Sequence, residues 1–271
     1  MDIGNLRQGI LEAIRSVAPE TDPARIDPGL PLLGQIELDS LDRVHVALAL
    51  QERMGVAIPE SEVGPAASLD SILAYACAKA GDTAPGVSGG HLGGVPGMTP
   101  AAPRRTCHEV KGETVTVRPI GREDRSLEAE FVRHLSDNAR YKRFMLTLRE
   151  LSPAKLDYLT DVDQVRHVAL IATVEREGRT VPVGIVRYVV DAAGTGCEFS
   201  VAIDDAWQRS GLAGILMREL MAIARAAGLE TMEGIVLAAN TAMLHFARQL
   251  GFVLERDPDD RTTVRVVRRL R

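Results

Sequence analysis

The 271-residue sequence contains few cysteines, few aromatic residues and no excess of basic charge. Its three cysteines are odd in number and far apart, which argues against a disulfide framework and fits a reducing cytosol. Lys and Arg total 32 against 37 Asp and Glu, and the net charge of −5 argues against a broad nucleic-acid-binding surface. Cys107 and His108 adjoin, but no second pair of ligands has tetrahedral spacing, so no metal site is predicted.

The sequence also lacks the segments that direct a chain into or across a membrane. No apolar run approaches the roughly 20 residues that a membrane-spanning helix needs. The first residues, Met1 to Gly4, do not form a basic stretch followed by an apolar core, so no signal peptide is predicted. With 45% hydrophobic and 25% charged residues the composition is that of a globular protein. We therefore expect a cytoplasmic protein without membrane insertion.

A stretch rich in glycine and proline divides the chain. The 25 residues from Gly81 to Arg105 hold seven glycines and four prolines and almost no aliphatic side chains, which is typical of a linker. The sequence therefore predicts an N-terminal domain over 1–82, a flexible linker over 83–106 and a C-terminal domain over 107–271. The N-terminal part is acidic, with 12 acids and 6 bases in residues 1–81.

The N-terminal domain is predicted to be a small helical bundle. Apolar residues recur at three- and four-residue spacing from Leu6 to Val17, which indicates one amphipathic helix. A second helix is predicted to begin near Ser40 and a last one near Ser68. A short helical piece is predicted between Pro59 and Pro65.

The segment Leu38-Asp39-Ser40-Leu41-Asp42 resembles acyl carrier proteins and peptidyl carrier domains, and the resemblance covers about residues 3–80. It implies a four-helix carrier bundle whose Ser40 bears a covalent 4′-phosphopantetheine arm. A phosphopantetheinyl transferase and an acyl-loading enzyme would then be partners. A phosphodiester at a helix start meets unpaired backbone N–H groups and the positive end of the helix dipole. The alternative is that Ser40 only caps the helix.

The C-terminal domain alternates strands with helices, which predicts a mixed α/β sheet domain and, with the bundle, a two-domain α+β protein. Strands are expected over 114–119, 168–175, 181–190, 198–203 and 231–237, followed by two terminal strands. Helices are expected over 122–135, 139–148, 152–161, 211–227 and 241–250.

The segment 208–214 joins a predicted strand to the start of the longest predicted helix. Small residues there let the backbone approach a ligand, and N–H groups at a helix start favour a pyrophosphate. The segment resembles the Q/R-x-x-G-x-G/A loop of the GNAT acyltransferases, and Asn240 and Leu250-Gly251-Phe252 follow at that family's spacing. The resemblance implies a GNAT fold that uses acetyl-CoA or another acyl-CoA as cosubstrate. Its cofactor-binding residues would be Val201, Ala202, Ile203, Gln208, Arg209, Ser210, Gly211, Leu212, Ala213, Gly214 and Asn240.

Further segments resemble one branch of that family, the bacterial protein lysine acetyltransferases. They are Arg118-Pro119-Ile120, Leu135-Ser136, Arg140-Tyr141, Arg143-Phe144, Leu151-Ser152-Pro153 and Glu198-Phe199. In that branch a glutamate near the start of the strand ahead of the pyrophosphate loop acts as general base, and the match falls on Glu198. Backbone N–H groups of residues 201–203 would hold the thioester carbonyl and the pantetheine amides. The alternative for Glu198 is a surface residue at the edge of its strand.

The acid that protonates the leaving thiolate is not evident from the sequence. Many GNAT enzymes have a tyrosine seven residues after the position of Asn240, where this chain has Ala247. Either the thiolate leaves unassisted, or another group such as His245 serves. His245 is also readily interpreted as a solvent-facing helix residue, and Asn240 as a hydrogen-bonding residue rather than a reactive one.

Three functions fit these features. The first is an acyl-CoA-dependent N-acyltransferase with a carrier domain in cis, acting on a protein lysine or on a carrier-borne or small-molecule amine. The second is a carrier module of fatty-acid, polyketide or peptide-type biosynthesis whose GNAT-like half only binds CoA or an acyl group. The third is a transferase that takes its acyl group from the carrier thioester.

Overall fold

The computed structural model describes residues 3–32, 35–36, 38–54, 58, 60–64, 67–80, 103–144, 150–256 and 261–271. The chain divides into two compact units, Met1–Pro96 and Gly97–Arg271. The predicted linker lies outside the described residues as far as position 102, and its last residue, Thr106, already belongs to a strand. No helix of the described residues is long and apolar enough to cross a membrane.

The described residues of the N-terminal unit form three α-helices, as the periodicity predicts. They are α1 (Ile3–Val17), α2 (Ser40–Met54) and α3 (Leu69–Ala80). The predicted short piece is a 3₁₀ turn at Glu60–Val63, and a second such turn lies at Pro23–Arg25. Side chains spaced by three or four residues meet on one face of each helix, so they build a common core. Its fully buried members include Ile10, Ile14, Val46, Leu50 and Ile72.

The C-terminal unit is an eight-stranded sheet in the order β1-β2-β3-β4-β5-β6-β8-β7. The strands are β1 (Thr106–Val110), β2 (Glu113–Pro119), β3 (His167–Arg176), β4 (Arg179–Val190), β5 (Gly196–Ile203), β6 (Thr231–Leu237), β7 (Val253–Glu255) and β8 (Thr263–Arg269). Neighbouring strands are antiparallel except β5 and β6, which run parallel.

Helices cover both faces of the sheet. They are α4 (Arg125–His134), α5 (Asp137–Phe144), α6 (Pro153–Thr160), α7 (Leu212–Ala226) and α8 (Thr241–Gln249). Side chains of α7 and α8 pack into the larger core on one face, while α4 and α5 contribute to a smaller core on the other. The predicted helix 122–135 is a 3₁₀ turn at Arg122–Asp124 followed by α4. The end of the predicted helix 139–148 lies outside the described residues.

Strand β1 is a strand that the sequence reading missed. Five residues alternating in burial pair with β2 through a two-residue turn, Lys111-Gly112. Both turn residues have positive φ, 55° and 79°, as a type I′ hairpin turn requires. A strand of only five residues with several polar side chains has no clear hydrophobic pattern. The sequence signal that could have predicted it was therefore the turn that follows it.

Candidate functional site

The two parallel strands at the middle of the sheet separate part-way along their length. β5 pairs with β4 as far as Ile203, opposite Gly184, but it pairs with β6 only from Gly196 to Glu198. β6 meanwhile continues beside β8 as far as Leu237. Residues 199–203 of β5 and 234–237 of β6 therefore border an opening in the sheet, which we call the β5–β6 fork.

The backbone of β5 presents polar groups to this fork. The Asp204 N–H donates to the Val183 carbonyl at 3.1 Å, and the Gly196 carbonyl accepts from the Asp191 N–H at 2.9 Å. Because hydrogen-bonding direction alternates along an antiparallel strand, the N–H groups of Val201 and Ile203 point away from β4 and toward the fork. The same alternation directs the Ala202 N–H to β4, so Ala202 does not fit the predicted role of backbone donor.

The predicted pyrophosphate loop lies beyond the end of β5, at the start of α7. Gly211 is the N-cap of α7 with φ of 89°, a left-handed conformation that glycine adopts without steric cost. Ser210 Oγ donates to the Trp207 carbonyl and accepts from the Leu212 N–H. Gly211 supplies no side-chain cap. The first-turn N–H groups of Ala213 and Gly214 are therefore available to an anionic ligand.

A basic side chain that the sequence reading missed lies beside this first turn. A Cβ added to Gly214 would lie 3.2 Å from Nη1 of Arg218, one helical turn further along α7. Arg209 is also exposed in the loop, with φ of 60°. Basic side chains at the positive end of a helix are favourable when an anion binds there. The sequence signal that could have predicted this contact is the spacing of four residues between Gly214 and Arg218, which places them on the same face of a helix.

The β1–β2 hairpin contacts the loop that precedes α7. Lys111 Nζ donates to the Ala206 carbonyl at 2.9 Å. The ammonium of Lys111 and the guanidinium of Arg176 each lie 5.7 Å from the centre of the buried Trp207 ring. Cations over an aromatic face are attracted by its quadrupole. The loop that precedes α7 is therefore fixed in place by a strand pair distant in sequence.

Glu198 lies at the apex of the fork, in the last β5–β6 pair, opposite Glu233. Its exposure is 2%, which excludes the interpretation of a surface glutamate at a strand edge. Because side chains alternate along a strand and Phe199 belongs to the core under α7 and α8, Glu198 points to the other face, under α4 and α5. It is more deeply buried than its sequence context suggests.

The start of α2 in the N-terminal unit shows which residue caps this helix. The Asp39 N–H donates to Asp42 Oδ2 at 2.8 Å, and the Asp42 N–H donates to Asp39 Oδ1 at 2.9 Å. This reciprocal pair is a capping box in which Asp39 is the cap, and Ser40 is the first helical residue. The interpretation of Ser40 as no more than a helix cap is therefore wrong.

Comparison with known proteins identifies both units. The model of the acetyltransferase (GNAT) family matches residues 131–252, and that of the phosphopantetheine attachment site matches residues 8–76. Acetyltransferase PA5475 of Pseudomonas aeruginosa is 42% identical over 153 residues, covering 56% of this chain and 82% of that protein. Acyl carrier protein 2 of Ralstonia nicotianae is 45% identical over 56 residues, covering 20% of this chain and 69% of its own length. The chain belongs to the acetyltransferase (GNAT) family and also contains an acyl carrier domain.

The solved structures agree with this assignment. The GNAT domain of the S. lividans protein PAT is 28% identical, with a TM-score of 0.56, covering 61% of this chain and 96% of that domain. The carrier family takes phosphopantetheine as a covalent group, and acyl-CoA is the cosubstrate of the GNAT family. The open fork and the glycine-capped start of α7 fit an extended arm that ends in a diphosphate.

A buried ion pair supports the face of the GNAT domain onto which Glu198 points. Arg187 on β4 donates to both carboxylate oxygens of Glu128, at 2.9 and 3.1 Å, and to the Leu159 carbonyl at 3.0 Å. Burial raises the pKa of Glu128, while the charges of Arg187 and Arg143 oppose that rise. Arg187 lies opposite Ser200, two residues from Glu198 along β5, and it joins α4 and α6 to β4, the strand beside the one that carries the candidate base.

Cys197, which adjoins Glu198, does not provide a nucleophile. Burial raises its pKa well above the ordinary value, and the charges of Asp191, Glu233 and Glu198 raise it further. A neutral, buried thiol is a poor nucleophile. Tyr188 does not supply the missing acid either, because burial raises its pKa and its side chain is fully enclosed in the core.

The remaining predicted residues lie on α8. Asn240 caps this helix, accepting from the Met243 N–H at 3.3 Å, so its amide oxygen already serves a backbone group. His245 is exposed and lies 3.0 Å from Gln249, whereas Ala247 is buried in the core. The α8 helix offers no tyrosine hydroxyl, since its nine described residues, Thr241–Gln249, include none. Among the described residues no group of three or more His, Cys, Asp or Glu side chains could hold a metal ion.

Proposed function

We propose that the GNAT domain transfers an acyl group from acyl-CoA to an amine at the apex of the β5–β6 fork. The acceptor would be a protein lysine, a small-molecule amine or an amine carried by the arm on Ser40. The observation that carries this proposal is the order of three features along β5 and just beyond it. Glu198 lies at the apex, the N–H groups of Val201 and Ile203 follow along the edge of the strand, and the glycine-capped start of α7 comes after the strand.

The fork would hold acyl-CoA as an added extended segment. The pantetheine amides would accept hydrogen bonds from the β5 edge, and the diphosphate would accept them from the first turn of α7. Arg209 and Arg218 would add charge-assisted hydrogen bonds to the phosphates. This arrangement places the thioester near the apex, because the arm runs from α7 against the direction of β5.

Glu198 would then accept the proton of the attacking amine. A free alkylammonium has a pKa near 10.4, so a base must generate the neutral amine. The amine nitrogen attacks the thioester carbonyl carbon, and a backbone N–H of the β5 edge stabilises the oxyanion. The C–N bond forms, the C–S bond breaks, and the thiolate leaves to take a proton from water. Removal of a carboxylate from water favours proton uptake, which suits this role.

Replacement of Gly211 by valine is expected to weaken acetyl-CoA binding at least about tenfold. A side chain at φ of 89° strains the backbone, and its Cβ would stand where the diphosphate approaches the helix. Isothermal titration of the full chain with acetyl-CoA measures the change. Gly178 provides a matched control because it has φ of 73° and no atom within 4 Å of its Cβ position. Gly178→Val with unchanged affinity, beside a weakened Gly211→Val, supports the assignment, whereas equal affinities of both variants and the wild type would contradict it.

The presence of both domains in one chain suggests that the Ser40 arm delivers a group to the fork. A tether raises the effective concentration of a carrier-bound group into the millimolar range when geometry allows contact. The delivered group would be an acyl donor or an amine acceptor, with the thiol of the arm carrying it as a thioester. Free acetyl-CoA with free amines would gain nothing from such a tether.

The cis arrangement predicts that the intact, loaded chain transfers much faster than its separated parts. The rate of the intact chain should not change on dilution, whereas a mixture of fragments 1–82 and 107–271 at micromolar concentration should slow as it is diluted. Product formation by mass spectrometry measures both rates, after circular dichroism has verified that each fragment is folded. Equal rates for intact and separated forms would contradict delivery in cis, and an absence of transfer in every form would favour a carrier module with a binding-only GNAT domain.

A further inference from the structure

We propose that Phe199 limits the length of the acyl chain that the fork accepts. The proposal rests on the proposed binding of acyl-CoA in the fork and adds the feature that selects among acyl groups. It concerns the apex, where Phe199 and Gly234 are the first residues after the last β5–β6 pair, Glu198 with Glu233.

On the face of the sheet that carries α7 and α8, the Phe199 ring reaches from β5 to β6 beside the apex. A Cβ added to Gly234 would lie 2.8, 3.1 and 3.2 Å from three atoms of that ring, so the ring lies directly against the β6 backbone. Such an approach is possible only because residue 234 has no side chain. The bare backbone at Gly234 and the ring at Phe199 therefore form one continuous wall across the fork.

The Phe199 ring in this wall is closely packed and has little room to move. The Phe252 ring stands behind Phe199 with 5.1 Å between ring centres and a tilt of 49°. Phe199 is 5% exposed and Phe252 is 4% exposed, and both belong to the core beneath α7 and α8. A close-packed interior resists added volume, so a longer acyl chain cannot simply push the ring deeper into the core.

The geometry of the arm brings the acyl chain against this wall. An arm that follows β5 from Ile203 to Phe199 covers about 13 Å, at roughly 3.3 Å per residue. Glu198 and Phe199 are consecutive, so their side chains point to opposite faces of the sheet. The amine would approach from the Glu198 face, while the chain beyond the thioester carbonyl continues along the arm into the Phe199 ring. An acetyl methyl would end before the ring, whereas longer chains would have to displace it.

Dissociation constants of CoA, acetyl-CoA, butyryl-CoA and hexanoyl-CoA for the full chain test the proposal without knowledge of the acceptor. Wild type should bind hexanoyl-CoA at least about tenfold more weakly than acetyl-CoA, since one methylene in a tight apolar site is worth roughly 10–200-fold. Phe199→Ala should abolish or reverse that preference. Phe199→Leu should shift it in the same direction by less, and it decides the outcome if the alanine variant does not fold.

Two further variants separate the wall from a general loosening of the core. Gly234→Ala places a methyl group against the ring and should raise the discrimination against butyryl-CoA. Phe131→Leu truncates an equally buried ring on the opposite face and should leave the acetyl-to-hexanoyl ratio as in wild type. The proposal is overturned if both Phe199 variants keep the wild-type ratio, or if Phe131→Leu shifts it equally. Failure of wild type to bind any CoA species would instead refute the proposed function, and with it the proposed role of Phe199.

Discussion

Glu198→Gln is expected to lower the rate constant of acyl transfer by about 10²–10⁴ while the dissociation constant of acetyl-CoA stays unchanged. The amide keeps the volume and shape of the carboxylate but cannot accept the proton of the ammonium group. The residue lies at the apex of the fork, whereas the proposed acyl-CoA contacts extend from Val201 to the start of α7, so binding and proton transfer would depend on different atoms. Single-turnover kinetics with titration of acetyl-CoA separates the two.

Glu233→Gln is the matched control for this variant. Glu233 lies opposite Glu198 in the last β5–β6 pair, on the same face of the sheet, and forms an ion pair with Arg265. The same chemical change one strand away should affect the rate far less. A wild-type rate for Glu198→Gln would reduce Glu198 to a structural residue.

Ser40→Ala is expected to abolish covalent modification of the chain. Incubated with CoA and a phosphopantetheinyl transferase, wild type should gain the mass of one phosphopantetheine, and the variant should gain none. The helix itself should persist, because Asp39 and Asp42 form its capping box and alanine is the best helix former. Intact-mass spectrometry of the full chain gives the result directly.

Ser68→Ala provides the control for the loss of a serine at a helix start in the same unit. Ser68 caps α3 and accepts a hydrogen bond from the Ser71 N–H at 3.1 Å. Unlike Ser40, which follows Asp39, Ser68 is not preceded by an aspartate. This variant should be modified like wild type. Equal modification of Ser40→Ala and wild type would show that the arm is attached elsewhere or not at all.

Some of this protein could be predicted from local sequence. The helices of the carrier domain follow from apolar spacing, since α1 to α3 each bury residues three or four apart. The glycine at the start of α7 was evident as well, from the resemblance of segment 208–214 to the GNAT loop, and its φ of 89° is a conformation that suits glycine. The motif around Ser40 identified the carrier family, and the comparisons confirm that family. Strand β1 escaped because a polar five-residue strand has no hydrophobic pattern of its own.

The composition of the site, in contrast, was decided by contacts between residues far apart in the chain. Sequence placed Glu198 on a strand but could not show that the strand leaves its neighbour immediately afterwards, because β6 lies about thirty residues further on and is held by β8. The same holds for Arg187, which is paired with Glu128 across the sheet, and for the Phe199 ring against Gly234. A period of two fixes which side of a strand a residue faces. Only the packing of distant strands and helices decides what it meets there, and the burial of Glu198, the opening beside it and the wall at its end arise from that packing.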